Sequence, residues 1–269
     1  HFYDATSQLY RMIEQFLILQ DVEKDQFLQQ QLLQKSFQQK QLDFTISSKN
    51  TNTSSEFYIH VYKQQLFRHH HILLEDSVDI SSLENAFHHF DIYALIEKLR
   101  LACSVISAQN FDKQEADFSL LELLLQRITS EDLEKHALLA IYFYTYKMLQ
   151  QPENETYFNQ LQPLIYQQVR TFSKTEMREI ILQANNFCIK RMNRGEEMYF
   201  RKSFELYKLG IEHKILLESG LLSRFTFTNV VTIALRLKEI DWTKSFIEIN
   251  KKYVEEKFRE STYSFNKAK

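Results

Sequence analysis

The sequence predicts an all-α protein built of antiparallel helical hairpins. Three observations carry that expectation. Only 3 Gly and 2 Pro occur among 269 residues, where average usage gives roughly 18 and 13. Gly supplies the positive φ of tight turns and Pro punctuates strands, so a chain this poor in both is ill suited to a sheet with many hairpins. Apolar residues recur at spacings of three and four almost throughout, the period of one helix face. The helical segments also pair off roughly every 35 to 45 residues, the range in which two-helix units bury their faces on their neighbours.

Residues 4–20 carry Leu9, Met12, Ile13, Phe16 and Leu17 on one helical face. Asp21 opens a second helix to about Gln41, with Phe27, Leu32 and Phe37 among many glutamines. The aperiodic, Ser/Thr/Asn-rich stretch 43–55 (DFTISSKNTNTSS) reads as a mobile loop. Ile80–Ser82 then lead into the longest helix, to about Ala108, with Phe90, Tyr93, Ile96, Leu99, Cys103 and Ile106 as its core-facing stripe. These elements form an N-terminal helical region, 1–110.

Residues 111–269 read as degenerate helical hairpins. Ala116–Ile128 pairs with Glu131–Leu149 across the turn TSED, in which Ser130 is placed as the N-cap. Gln151-Pro152-Glu153 closes that unit. Glu155–Phe172 pairs with Lys174–Asn193, capped by Ser173, with Met177, Ile181, Ala184 and Cys188 as its buried line. Pro163 lies inside the first of these helices, so a kink or break is expected there. Gly195 stands where a left-handed residue ends a helix. Glu196–Lys208 follows, then a short piece between Gly210 and Gly220, and finally Phe225–Leu237 with Asp241–Lys257. The tail YSFNKAK starts a further helix in this reading. The chain begins at His1 rather than Met and is expected to be a fragment, its array truncated at the C-terminal end.

Charge narrows the function classes. The formal net charge is −2, and Lys and Arg are scattered rather than gathered in the basic stripe of a nucleic-acid binder. The densest tract brings Arg170, Arg178, Lys190, Arg191, Arg194, Arg201 and Lys202 together, but Glu176, Glu179, Glu196 and Glu197 are interspersed. A mixed solvated surface is expected there, with a nucleic-acid-binding helical array as the weaker alternative. Cys103 and Cys188 sit in apolar helical patterns and read as reduced, inert core thiols. The longest apolar run, ALLAIYFYTY at 137–146, is about half a membrane span. No membrane span and a cytoplasmic location are expected.

At Phe225–Ile249, FTFTNVVTIALRLKEIDWTKSFIEI resembles the helix–turn–helix of a tetratricopeptide repeat. Asp241 and Trp242 match the family's acidic and aromatic positions, while Ile240 replaces its glycine, Ser245 its alanine, and the closing proline is missing. Together with YALIEKLRLAC, NNFCIKRMNRGEE and SFELYKLGIEHKILLESG, this region is similar to larger, uncharacterised bacterial proteins with tetratricopeptide-like repeats. The resemblance spans roughly two-thirds of the chain. It implies a right-handed α-solenoid and a role in protein–protein interaction, and says almost nothing of a specific partner, because folds host many functions.

Sequence chemistry offers no catalytic, cofactor or metal residues. His69, His70 and His71 are adjacent, as are His88 and His89, and adjacent imidazoles on a helix point about 100° apart. A helical zinc pair wants His at i and i+4; only a combination across helices, such as His70 with His88, could make one. There is no G-x-S-x-G and no glycine-rich phosphate loop. Glu196-Glu197 and Glu255-Glu256 read as solvated carboxylates. Tyr142 and Tyr146 are one turn apart and expected buried with satisfied hydroxyls, with Tyr144 on another face. The sequons at Asn52 and Asn154 matter only in a secreted protein.

The expected function is a non-enzymatic helical scaffold binding an unidentified protein or peptide, with structural self-assembly as the alternative. The only tryptophan, Trp242, is expected in the first turn of a hairpin's second helix, packed as a wedge between its own hairpin and the next, with Asp241 favouring that helix N-terminus.

Overall fold

The computed structural model describes Met12, residues 54–72, 80–109 and 116–269. The helices expected over 4–20 and 21–41 (Met12 apart) and residues 43–53 of the expected loop lie outside the described residues. The chain divides into two compact units, His1–Thr51 and Asn52–Lys269. Apart from Met12, every described residue belongs to the second.

That unit is helical almost throughout. Its first helix, α1 (Ser55–Ile72), is not predicted by spacing, and Ser55 belongs to it rather than to the expected loop. Its apolar residues are mixed with three consecutive histidines and two glutamines, so periodicity alone gives a weak signal. α1 packs along α2 (Ile80–Gln109). The expected stripe of α2 is buried at Ile96, Leu99 and Cys103. Phe90 departs from it: it is 44% exposed, with its ring 5.0 Å from that of Tyr62 of α1.

The region expected as one hairpin resolves into three helices, α3 (Ser119–Leu125), α4 (Ser130–Lys135) and α5 (Ala137–Gln150). Thr129, not Ser130, caps α4. Its hydroxyl accepts from Asp132 N at 3.2 Å, and its own N–H donates to the Asp132 carboxylate at 2.9 Å. This reciprocal box outcompetes Ser130 because it satisfies two orphan groups at once. His136, with φ −119° and ψ 81°, interrupts the backbone between α4 and α5. α5 packs on both α2 and α6 (Thr156–Gln168), so residues on either side of position 110 share one core.

Pro163 does not break α6, which continues through it. A proline strands the carbonyl four residues earlier, and here both Pro163 and Asn159 are exposed, so water can take that carbonyl. Ser173 caps α7 (Lys174–Met192), accepting from Glu176 N at 3.3 Å. Met177, Ile181, Ala184 and Cys188 are fully buried along it, as the spacing predicts. Gly195 ends the turn with φ +90°.

α8 (Met198–Glu212) runs past Gly210, where residue type predicts a boundary. Gly210 is helical here and serves packing: a Cβ would lie 2.7 Å from Leu216 Cγ. Its carbonyl also accepts from Ile215 N at 2.8 Å, folding the chain back over the helix end. Next comes the one departure from all-α structure among the described residues, a two-stranded ribbon of β1 (Leu217–Glu218) and β2 (Leu221–Leu222). Its two-residue turn, Ser219-Gly220, has φ of +49° and +80°, the combination a tight hairpin needs.

α9 (Arg224–Arg236) and α10 (Ile240–Asn250) follow. The helix expected over Asp241–Lys257 stops at Asn250. A short 3-10 turn at Lys251–Tyr253 separates it from α11 (Glu256–Lys267), which takes up most of the tail. Buried side chains from the helices α1 to α10, α4 excepted, and Val254 beyond them, form one continuous core.

Candidate functional site

A pocket of about 280 Å³ opens between the end of α8, the ribbon and α10. Its walls come from Leu216, Leu217, Leu222, Trp242, Phe246 and Ile249. Lys208, Glu212, Lys214 and Asn250 stand among its polar lining residues. Three local features create it. Gly210 lets Leu216 lie directly on α8, Lys214 turns the chain with φ +55°, and the ribbon holds Leu217 opposite Leu222.

Trp242 sits in the first turn of α10 beside Asp241, as expected. It is half-buried rather than enclosed. Its indole stacks on Phe246 at 5.2 Å and meets the edge of Phe204 from α8 at 4.8 Å. The indole thus packs back on the preceding helix α8 rather than between its own hairpin and the next, and its other side faces the pocket. Ile249, 61% exposed, marks the outer lip.

The tyrosines divide as their spacing implies. Tyr142 and Tyr146 are buried, and the Tyr146 hydroxyl donates to Glu122 of α3 at 2.6 Å. The Tyr142 hydroxyl, expected to be satisfied, is buried with no hydrogen-bond partner among the described residues. Core packing of the ring fixes its position, and no described acceptor reaches it. Tyr144 is half-buried and, with Tyr157 of α6, lines a wider and more polar groove of about 690 Å³ between α4–α5 and α6.

A histidine cluster joins α1, α2 and the α4–α5 break. A hydrogen bond of 3.1 Å links Tyr58 Oη to His136 Nδ1, and the His88 ring lies 5.6 Å from those of both His89 and His136. Burial, with His88 next, holds the His136 imidazolium below its usual range, while Asp132 acts the other way. His89 Nδ1 donates to Asn85 O at 2.7 Å. The side chains of His70 and His71 lie outside those described, and with them the His70–His88 pairing. Among the described residues no group of three or more His, Cys, Asp or Glu is placed to hold a metal ion. His136 escapes sequence reasoning, because its only signal is a polar residue between a capped turn and an apolar run.

The remaining candidates are engaged structurally. Cys103 and Cys188 are buried and unpaired, and burial pushes both thiols up to about 12. Glu196 pairs with Arg191 at 2.8 Å and Glu255 with Lys257 at 2.8 Å. Arg178 pairs with Glu218, Arg194 with Glu153, and Arg201 with Glu239, while Lys202 donates to Asn159 at 3.0 Å. Most of the suspected basic tract thus ties helices to their neighbours. Asn154 accepts from Thr156 N at 3.0 Å, closing the turn before α6; Asn52 lies outside the described residues. Among the described residues no helix is long and apolar enough to cross a membrane.

Comparison with models of protein families, with curated proteins and with solved structures returns no match for this chain.

Proposed function

We propose that this protein is a non-enzymatic helical scaffold that binds a peptide segment of a protein partner, anchoring one large apolar side chain in the Trp242 pocket. The pocket carries the reading. Its volume of about 280 Å³ falls just below the range of about 300–1,000 Å³ typical for cofactors and drug-sized ligands, and its apolar walls with a sparse polar rim suit an anchor residue. Lys208 and Lys214 outnumber Glu212 among the lining residues, a balance that favours acidic neighbours beside that anchor.

A stacked-hairpin, tetratricopeptide-like arrangement underlies the proposal, and two regularities support it. Helices α6, α8 and α10 begin at residues 156, 198 and 240; 198 less 156 and 240 less 198 both give 42. Within residues 153–269, eight side-chain hydrogen bonds span nearly constant separations, from 37 residues for Lys269 to Thr232 up to 44 for Tyr199 to Glu155. Two-helix units stacked on their neighbours produce both. Such stacking would present the pocket on a rigid surface, which lowers the ordering cost of docking.

The test is a peptide-display selection on the folded protein, read out by the emission of its single tryptophan. Selected peptides should share a large apolar residue with acidic flanks and perturb Trp242 emission. Ile249→Glu, at an exposed lip residue, should abolish binding at unchanged melting temperature. Binding that ignores this substitution, or a selection that enriches nothing, would refute the proposal.

A further inference from the structure

α2 is apolar on more than one face. One face packs on α1 and α5; another carries Ile80, Leu83, Phe87, Phe90, Leu101 and Val105, which are between 37% and 71% exposed. Successive steps of three and four place the first four on a single stripe, and Leu101 and Val105 resume it two turns after the half-buried Ala94. Such a seam, broken only by Glu97 and Lys98, is the pattern with which one helix meets another.

We propose that this stripe is a self-association surface, on which two copies of the chain pair their α2 helices antiparallel about a two-fold axis. The area fits a dimer. The six exposed fractions amount to about three fully exposed side chains, on the order of 450–750 Å² per copy at roughly 150–250 Å² each. Two copies that covered the whole stripe would remove about 900–1,500 Å², a range that brackets the roughly 1,000 Å² expected of a specific interface. Left open, the stripe is as large as the largest apolar patch on a typical monomer, about 300–600 Å².

Orientation follows from composition. Glu84 and Asp91 are exposed in the first half of α2, and Lys98 is exposed in the second. Antiparallel pairing turns the carboxylates of one copy toward the lysine of the other and opposes the helix dipoles, whereas parallel pairing aligns like charges. It also sets Ile80 against Val105 and Leu83 against Leu101, leaving Phe87 and Phe90 to cross the slim centre at Ala94. The contact is isologous, so it closes at two copies. This surface is separate from the Trp242 pocket, and neither proposal depends on the other.

Sedimentation equilibrium of the full chain tests the pairing. A concentration-dependent dimer is expected, and Phe87→Glu or Leu101→Glu should each shift its dissociation constant at least tenfold while leaving the circular dichroism unchanged. Ile249→Glu, an equally exposed apolar site elsewhere, should leave the dimer intact. A chain that stays monomeric throughout, or a dimer indifferent to both α2 substitutions, overturns the proposal. For orientation, Ile80→Cys mixed with Val105→Cys should form an intermolecular disulfide under oxidation. Efficient cross-linking of Ile80→Cys to itself instead would overturn the antiparallel arrangement.

Discussion

Replacing Trp242 by alanine tests how far the indole acts as a wedge. The side chain is half-buried, and its contacts are the stacked Phe246 ring at 5.2 Å and the Phe204 edge at 4.8 Å. Truncation removes on the order of 100 Å² of buried apolar area, worth about 2.5 kcal/mol at 25 cal/mol per Å². Loss of the two aromatic pairs adds about 1 kcal/mol. The cavity term is small, because the vacated space joins a pocket already open to solvent rather than a closed void. A loss of about 3.5 kcal/mol is therefore expected, toward the lower end of what full burial would give. Urea unfolding followed by circular dichroism measures it, since the substitution removes the fluorophore. Trp242→Phe, which keeps the stack on Phe246, should lose about 1 kcal/mol. A loss below about 1 kcal/mol for the alanine variant would mean that the indole contributes no packing between α8 and α10, and the wedge would be ruled out.

Acid should weaken the joint between α1, α2 and the α4–α5 break. The His136 pKa in the folded chain is held below the unfolded value of 6.5, chiefly by burial, so the unfolded chain binds more protons just below that pH. This contribution to stability is present above about pH 6.5 and is lost as pH falls toward the folded value. His60 shifts the same way, through burial and then Lys63. Denaturant titrations at a series of pH values should show stability falling below about pH 6.5, with a shallower fall in His136→Asn; identical slopes would contradict the assignment. Tyr142→Phe removes a buried hydroxyl that has no partner among the described residues and should raise stability by about 1 kcal/mol. A loss of that size, read from the urea midpoint, would show that the hydroxyl is bonded after all.

Much of the helical layout is legible locally. The buried line of α7, its Ser173 cap and the left-handed Gly195 follow from spacing and residue type alone, because each depends on neighbours within one or two turns. The same holds for the first-turn position of Trp242. Expectation and structure part where local signals compete. Ser130 and Thr129 can both cap, and Asp132 chooses between them through a bond to the Thr129 backbone. Gly210 resembles a boundary because glycine has low helix propensity, yet contact with Leu216 requires it inside α8. The candidate pocket is less legible still. Its lining comes from residues 208–253, and no periodicity says that the turn at Lys214 folds the ribbon against α10.

The sequence by itself determined the helical class, most helix faces and the absence of local catalytic motifs, since propensity, capping and amphipathic spacing act over a few residues. Tertiary structure alone decided which side of Trp242 is open, that His136 meets Tyr58 and His88, and that one stripe of α2 stays exposed among the described residues. Those outcomes depend on contacts between residues far apart in the chain, whose energies are set by packing and desolvation rather than by the identity of adjacent residues.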